Sequence, residues 1–69
     1  MHKEGIGLFF ALTSYDSGKT EYINFDHVMR FFGQTYDNGP GTVLCMSYGN
    51  RVVRENPDEI FLMLRGVKE

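Results

Sequence analysis

Tryptophan is absent from this chain of 69 residues, cysteine occurs once and proline twice. The lone Cys45 excludes a disulfide within the chain. Beside that thiol stand only two histidines, His2 and His27, so no Cys/His cluster with zinc spacing exists, and neither a metal nor another cofactor is expected. Long hydrophobic runs are missing too. Gly7 to Leu12 and Ile60 to Leu64 are wholly apolar stretches, and both fall far short of the ~18 residues that a membrane helix needs. No apolar h-region with a small-residue cleavage site marks a secretory leader, and a single free thiol fits a reducing compartment, so the expected location is the cytoplasm. Basic excess is the last absence. Seven Lys and Arg against nine Asp and Glu leave a net charge of -2, which supplies no long-range attraction for nucleic-acid phosphates or anionic lipid.

What the chain does have is aromatic surface, with six Phe and four Tyr. Its length accommodates one domain over residues 1–69 and one core at most. In so small a domain, apolar burial barely offsets the entropy of ordering the chain, and the usual remedies are disulfides, a metal or a partner chain. With the first two excluded, a protein partner or a second copy of the chain is expected.

Glycine-bearing turns punctuate short runs of aromatic and β-branched residues, the pattern of an antiparallel sheet. A first run, Leu8 to Tyr15, meets the turn Asp16-Ser17-Gly18-Lys19. The return run, Thr20 to Phe25, alternates, with Tyr22 and Asn24 on one face and Glu21, Ile23 and Phe25 on the other. Asn24 to His27 suits one short helical turn or a bend before a third run, Val28 to Tyr36. Asp37-Asn38-Gly39-Pro40-Gly41 reads as a loop. The fourth run, Thr42 to Tyr48, is apolar on both sides, with Leu44, Met46 and Tyr48 against Val43 and Cys45, as a central strand requires. Gly49-Asn50 fits a two-residue type II′ loop leading into Arg51 to Glu55.

A helix over 57–65 follows from Asn56 as N-cap, Pro57 in the first helical position and Glu59 three residues after the cap, with Gly66 to close it. Its residues Ile60 to Leu64 are apolar around the whole axis, so a sheet can cover only one side. The expected fold class is therefore mostly β (α+β): one small antiparallel sheet of four or five strands, open or barrel-like, with a single C-terminal α-helix.

Phe10, Leu12, Ile23, Phe25, Leu44 and Met46 form the expected core. Phe31, Phe32, Tyr48, Phe61, Leu62 and Met63 are the expected interface, because aromatic and Met side chains left outside a small core commonly mark protein contacts, here most simply a two-fold homodimer. Asp26-His27 and Cys45 are the residue types of an orienter, base and thiol nucleophile, yet nothing in the spacing joins them. An isolated Cys in an apolar strand is usually a small buried hydrophobe, so no catalytic residue is assigned. Asp58-Glu59 falls in the first helical turn, where the helix dipole accounts for it. Arg30, Arg51 and Arg54, interleaved with aromatics, are the candidate contacts of an alternative reading, a small β-barrel that binds nucleic acid by stacking. Net acidity opposes that reading, and edge-strand arginines also serve to block pairing with other sheets.

The succession Gly18-Lys19, Tyr22-Ile23-Asn24, His27-Val28, Thr42-Val43, Gly49, Val53, Glu55 and Pro57-Asp58-Glu59-Ile60 resembles the short FlbD/SwrD family of bacterial flagellar and swarming-motility proteins, over about Leu8 to Leu64. That resemblance implies a small cytoplasmic protein without catalysis and a motility-related role. From the residues themselves the expected function is a non-enzymatic protein-interaction or regulatory module. A phage- or plasmid-encoded inhibitor of a host factor is an alternative with the same features.

Overall fold

The structure, a computed structural model, describes residues 8–66, so His2 lies outside the described residues. In chain order the elements are β1 (Phe9–Thr13), β2 (Thr20–Asn24), a 3-10 turn (Phe25–His27), β3 (Val28–Tyr36), β4 (Gly39–Met46), β5 (Gly49–Val53) and α1 (Pro57–Arg65).

Two of the three hairpin turns differ from the sequence reading, for one shared reason. The β3–β4 turn is only Asp37-Asn38, with Gly39 already paired to Tyr36, and the β4–β5 turn is Ser47-Tyr48, with Gly49 paired to Met46. In both, the residues at the tip keep negative φ, and the glycine that follows takes the positive one, +117° at Gly39 and +144° at Gly49. The sequence reading placed glycine inside the turn, whereas it opens the return strand. Pro40 consequently lies within β4, and Tyr48 sits at a turn tip instead of sharing a strand face with Leu44 and Met46.

The strands form two antiparallel sheets, β1-β2 and β3-β4-β5, in place of one sheet of four or five strands, and they do not close into a barrel. A single bridge, Ser14 to Val53, connects them, flanked by Tyr15 N–H donating to the Val52 carbonyl and Arg54 N–H to the Thr13 carbonyl. The ladder stops there because the Glu55 carboxylate, not a backbone carbonyl, accepts the Thr13 N–H. Closure would need β2 to pair with β3. The 3-10 turn between them instead drives Phe25 into the core, its first turn held by Asp26 N–H donating to Asn24 Oδ1.

β4 is the central strand of its sheet, as expected, and is apolar on both faces. Its front face carries Leu44 and Met46 into a core with Leu12, Ile23, Phe25, Val53 and Ile60. Burying each such side chain fully contributes about 1.5–3 kcal/mol. Phe10, expected in that core, is half-buried at its border, edge-on to Phe25 with ring centroids 5.1 Å apart. On the back face Val43 is buried outside that core, between Phe32 and Val52 in the register. Tyr15 covers the same face over Gly41, where a β-carbon would come within 2.9 Å of its ring.

The helix begins and ends as the sequence predicts. Asn56 Oδ1 accepts the Glu59 N–H at 2.8 Å, and Glu59 Oε1 accepts the Asn56 N–H at 2.9 Å, a complete capping box ahead of Pro57. Gly66 closes α1 in a right-handed conformation, so its tolerance of positive φ is not used there. Pro57 stands over Gly33, and β3 is the strand that α1 lies against most closely. Ile60 turns inward and is fully buried.

Candidate functional site

Strand alternation decides which candidate residues share a surface. Phe31 and Phe32 are successive in β3 and therefore point to opposite faces. Phe31, opposite Leu44, is half-buried against the core, and so is Met63 of α1. Phe32, opposite Val43, is on the back face and partly exposed, with the Arg30 guanidinium 5.6 Å from its ring. Phe61 and Leu62 project from the outer side of α1, 54% and 63% exposed. Tyr48 is exposed at its turn tip beside the His27 ring, centroids 5.9 Å apart. The six residues thus do not form one patch. The structure instead groups Phe61 and Leu62 on the helix that overlies β3, and leaves Phe32 on the opposite face of that strand.

Sequence reasoning missed three further exposed apolar residues: Phe9, Tyr22 and Met29. Tyr22 was legible, since alternation sets it opposite the buried Ile23. Met29 was not. It occupies an irregularity in the β3–β4 register between Val28 and Arg30, which no residue type announces.

The three arginines are dispersed. Arg30 lies opposite Cys45 on the back face, whereas Arg51 lies opposite Leu44 on the front, where its Nε is 3.9 Å from Glu21 Oε1. Arg54 follows β5, beside the β1–β2 turn, its Nε donating to the Tyr15 carbonyl at 3.1 Å and its guanidinium against Gly18. A nucleic-acid platform needs a continuous basic groove, and these three positions do not build one.

An open pocket of about 460 Å³ lies between the β1–β2 and β3–β4 turns, lined by Tyr15, Asp16, Asn38, Pro40 and Arg54. Tyr15 is fixed there by its hydroxyl, which donates to the Gly39 carbonyl at 2.7 Å, and by the Tyr36 ring at 5.1 Å. The lining contributes one carboxylate and one guanidinium, and no thiol or imidazole. Cys45 is half-buried in β4 rather than wholly buried, and among the described residues it forms no hydrogen bond with His27. Among those residues, too, no three His, Cys, Asp or Glu side chains gather as a metal site requires, and no helix is long and apolar enough to cross a membrane.

Among the described residues the most connected polar one is Glu55, which the sequence reading left as a strand end. Its carboxylate accepts the Thr13 N–H at 2.9 and 3.1 Å and the Thr13 hydroxyl at 2.9 Å, while its carbonyl accepts the hydroxyl of the fully buried Thr42 at 2.6 Å. This clamp joins β1, β4 and the approach to α1. Glu55 is among the residues of the family resemblance, but no residue type marked its role as a clamp, because a carboxylate two residues after a strand is ordinarily solvated.

Comparison with protein-family models, curated proteins and solved structures finds no match to this chain.

Proposed function

We propose that the chain is a small non-enzymatic protein-interaction module of the cytoplasm that associates with a second copy of itself as a two-fold homodimer. The supporting observation is the outer side of α1. In a helix of nine residues, Ile60 is fully buried while Phe61 and Leu62, its immediate successors, stand in water. Among the described residues the Arg65 guanidinium, 5.9 Å from the Phe61 ring, lies over this surface. Neither side chain contributes to the core, so each is available to a partner, and identical chains most often meet across a two-fold axis.

The likeness to the FlbD/SwrD proteins supports a regulatory, motility-related setting for such a module. The residues that carry it are a turn glycine (Gly18), core positions (Ile23, Val53), the clamp (Glu55) and the helix start (Pro57). They bear on a shared fold first and on a shared role through it.

Light scattering on the full chain at micromolar concentration should give a mass near twice 7.9 kDa. Phe61→Glu should return it towards the monomer and leave a melting temperature equal to that of the diluted, monomeric wild type, since the new charge is solvated in the single chain and buried only at the contact. A wild-type protein that stays monomeric over the whole accessible range would refute self-association.

A further inference from the structure

The backbone of β3 carries a feature that the side chains alone do not reveal. Val52 and Arg54 direct their backbone groups to β1, so Val53 directs its own to β4. Alternation carried through the β4–β5 and β3–β4 registers then points Phe32 and Gln34 at β4, and turns the N–H and C=O of Phe31, Gly33 and Thr35 outwards. Among the described residues no strand pairs with that outer edge.

Other edges are shorter or partly occupied. On β1, five residues long, Glu55 occupies the Thr13 N–H and the Thr13 carbonyl accepts from Arg54, which leaves outward groups at Phe9 and Ala11 alone. β2 is five residues long, with Glu21 within it and Lys19 before it. β3 is nine residues long, and from Phe31 to Tyr36 it carries no charge and no proline, which are the usual means of keeping an edge strand from pairing. Its one charged residue is Arg30.

We infer that β3 pairs antiparallel with β3 of a second copy, across a two-fold axis at Gly33, to make one continuous sheet of six strands. This rests on the self-association proposed above and specifies its geometry. The register is restricted by the alternation. Outward-facing residues must meet outward-facing residues, which puts the axis at a residue and not between two; at Gly33 it overlaps both strands from Arg30 to Tyr36, Phe31 bonding with Thr35 of the second copy and Gly33 with itself. Charge is compatible with this register. Arg30 falls opposite Tyr36 of the second copy, so the only charge in the strand meets an aromatic ring and not its own kind. Phe32 falls opposite Gln34 and gains cover on the back face. Because α1 overlies β3, the pairing also draws the two helices, with Phe61 and Leu62, towards the same flank of the dimer.

Amide hydrogen exchange on the full wild-type chain tests this directly. The amides of Phe31, Gly33 and Thr35 should be protected at high protein concentration and lose protection on dilution, while Phe32 and Gln34 stay protected at both. Thr35→Pro removes an outward N–H that β4 does not use, and should weaken the dimer at least about tenfold. If that variant does not fold, the wild-type exchange pattern decides alone. Unprotected Phe31, Gly33 and Thr35 amides in a dimer that Phe61→Glu dissociates would overturn the edge pairing and leave self-association through the helix standing. A chain monomeric at every concentration would overturn both.

Discussion

Removing the Glu55 carboxylate should be among the most damaging single changes available on the surface of this protein. Two separate hydrogen bonds depend on it, one a shared bond from the Thr13 N–H and the other from the Thr13 hydroxyl. Bonds to a charged acceptor contribute about 1.5–3 kcal/mol each, and both are half-exposed, which favours the lower end. Glu55→Ala should therefore cost about 3 kcal/mol, including the Thr13 N–H left without an acceptor. In a domain of this size each kcal/mol moves the melting temperature by about 4–8 °C, so a fall of at least about 12 °C is expected by circular dichroism. Glu55→Gln, which keeps one acceptor and loses the charge, should fall about half as far. The bond from the Thr42 hydroxyl to the Glu55 carbonyl is untouched by either change, so the carboxylate alone is measured. Thr13→Val, combined with Glu55→Ala in a double-mutant cycle, should show a coupling of about 1 kcal/mol. A melting temperature for Glu55→Ala within about 2 °C of wild type would refute the clamp.

At the helix start, Asn56→Ala leaves the Glu59 N–H without its acceptor and should cost about 1 kcal/mol, read as a shift in the thermal midpoint. Gly41→Ala places a β-carbon 2.9 Å from Cδ1 of Tyr15 and 3.1 Å from the Val53 carbonyl. Tyr15 must then move and release Gly39, so a loss of about 1–3 kcal/mol is expected in urea unfolding, followed by tyrosine fluorescence that no tryptophan obscures.

Much of the fold was legible because its local chemistry points in one direction. The sequence Asn56-Pro57-Asp58-Glu59 carries a cap, a first-position proline and a capping-box acid together, and the helix follows within the predicted bounds. Val43-Leu44-Cys45-Met46 lacks a polar face, and the strand it forms is central. The turns failed where one residue type serves two geometries. A glycine beside Asn, Asp or Tyr supplies positive φ either within a turn or just after it, and the choice moves the start of β4 from Thr42 to Gly39 and that of β5 from Arg51 to Gly49. The number of sheets failed for a less local reason. β1 continues onto β5 for one bridge only, and the limit is set by the Glu55 side chain, 42 positions away in the chain. The candidate site suffered from the same dependence on register. Phe31 and Phe32 are equivalent in composition, yet only knowledge of which one faces Leu44 distinguishes the half-buried ring from the more exposed one.

The clamp also changes the argument for self-association. A short chain without a disulfide or a structural metal was expected to need a partner for stability. Glu55 supplies another route: it ties Thr13 to the segment before α1 across most of the chain, and its carbonyl anchors the buried Thr42. At about 3 kcal/mol the tie lies within the range of 2–4 kcal/mol typical of a disulfide. The tie offsets part of the shortage of stability that a dimer was expected to remedy, so the case for the dimer rests less on stability. What favours it is the placement of the surface that remains. The core has taken Ile60 and most of Met63 and Leu64 from α1, the clamp occupies the Thr13 end of β1, and the edge of β3, uncharged from Phe31 to Tyr36, lies beneath the helix that exposes Phe61 and Leu62. Self-association and folding should accordingly be separable: Phe61→Glu and Thr35→Pro act on the former, and Glu55→Ala acts on the latter.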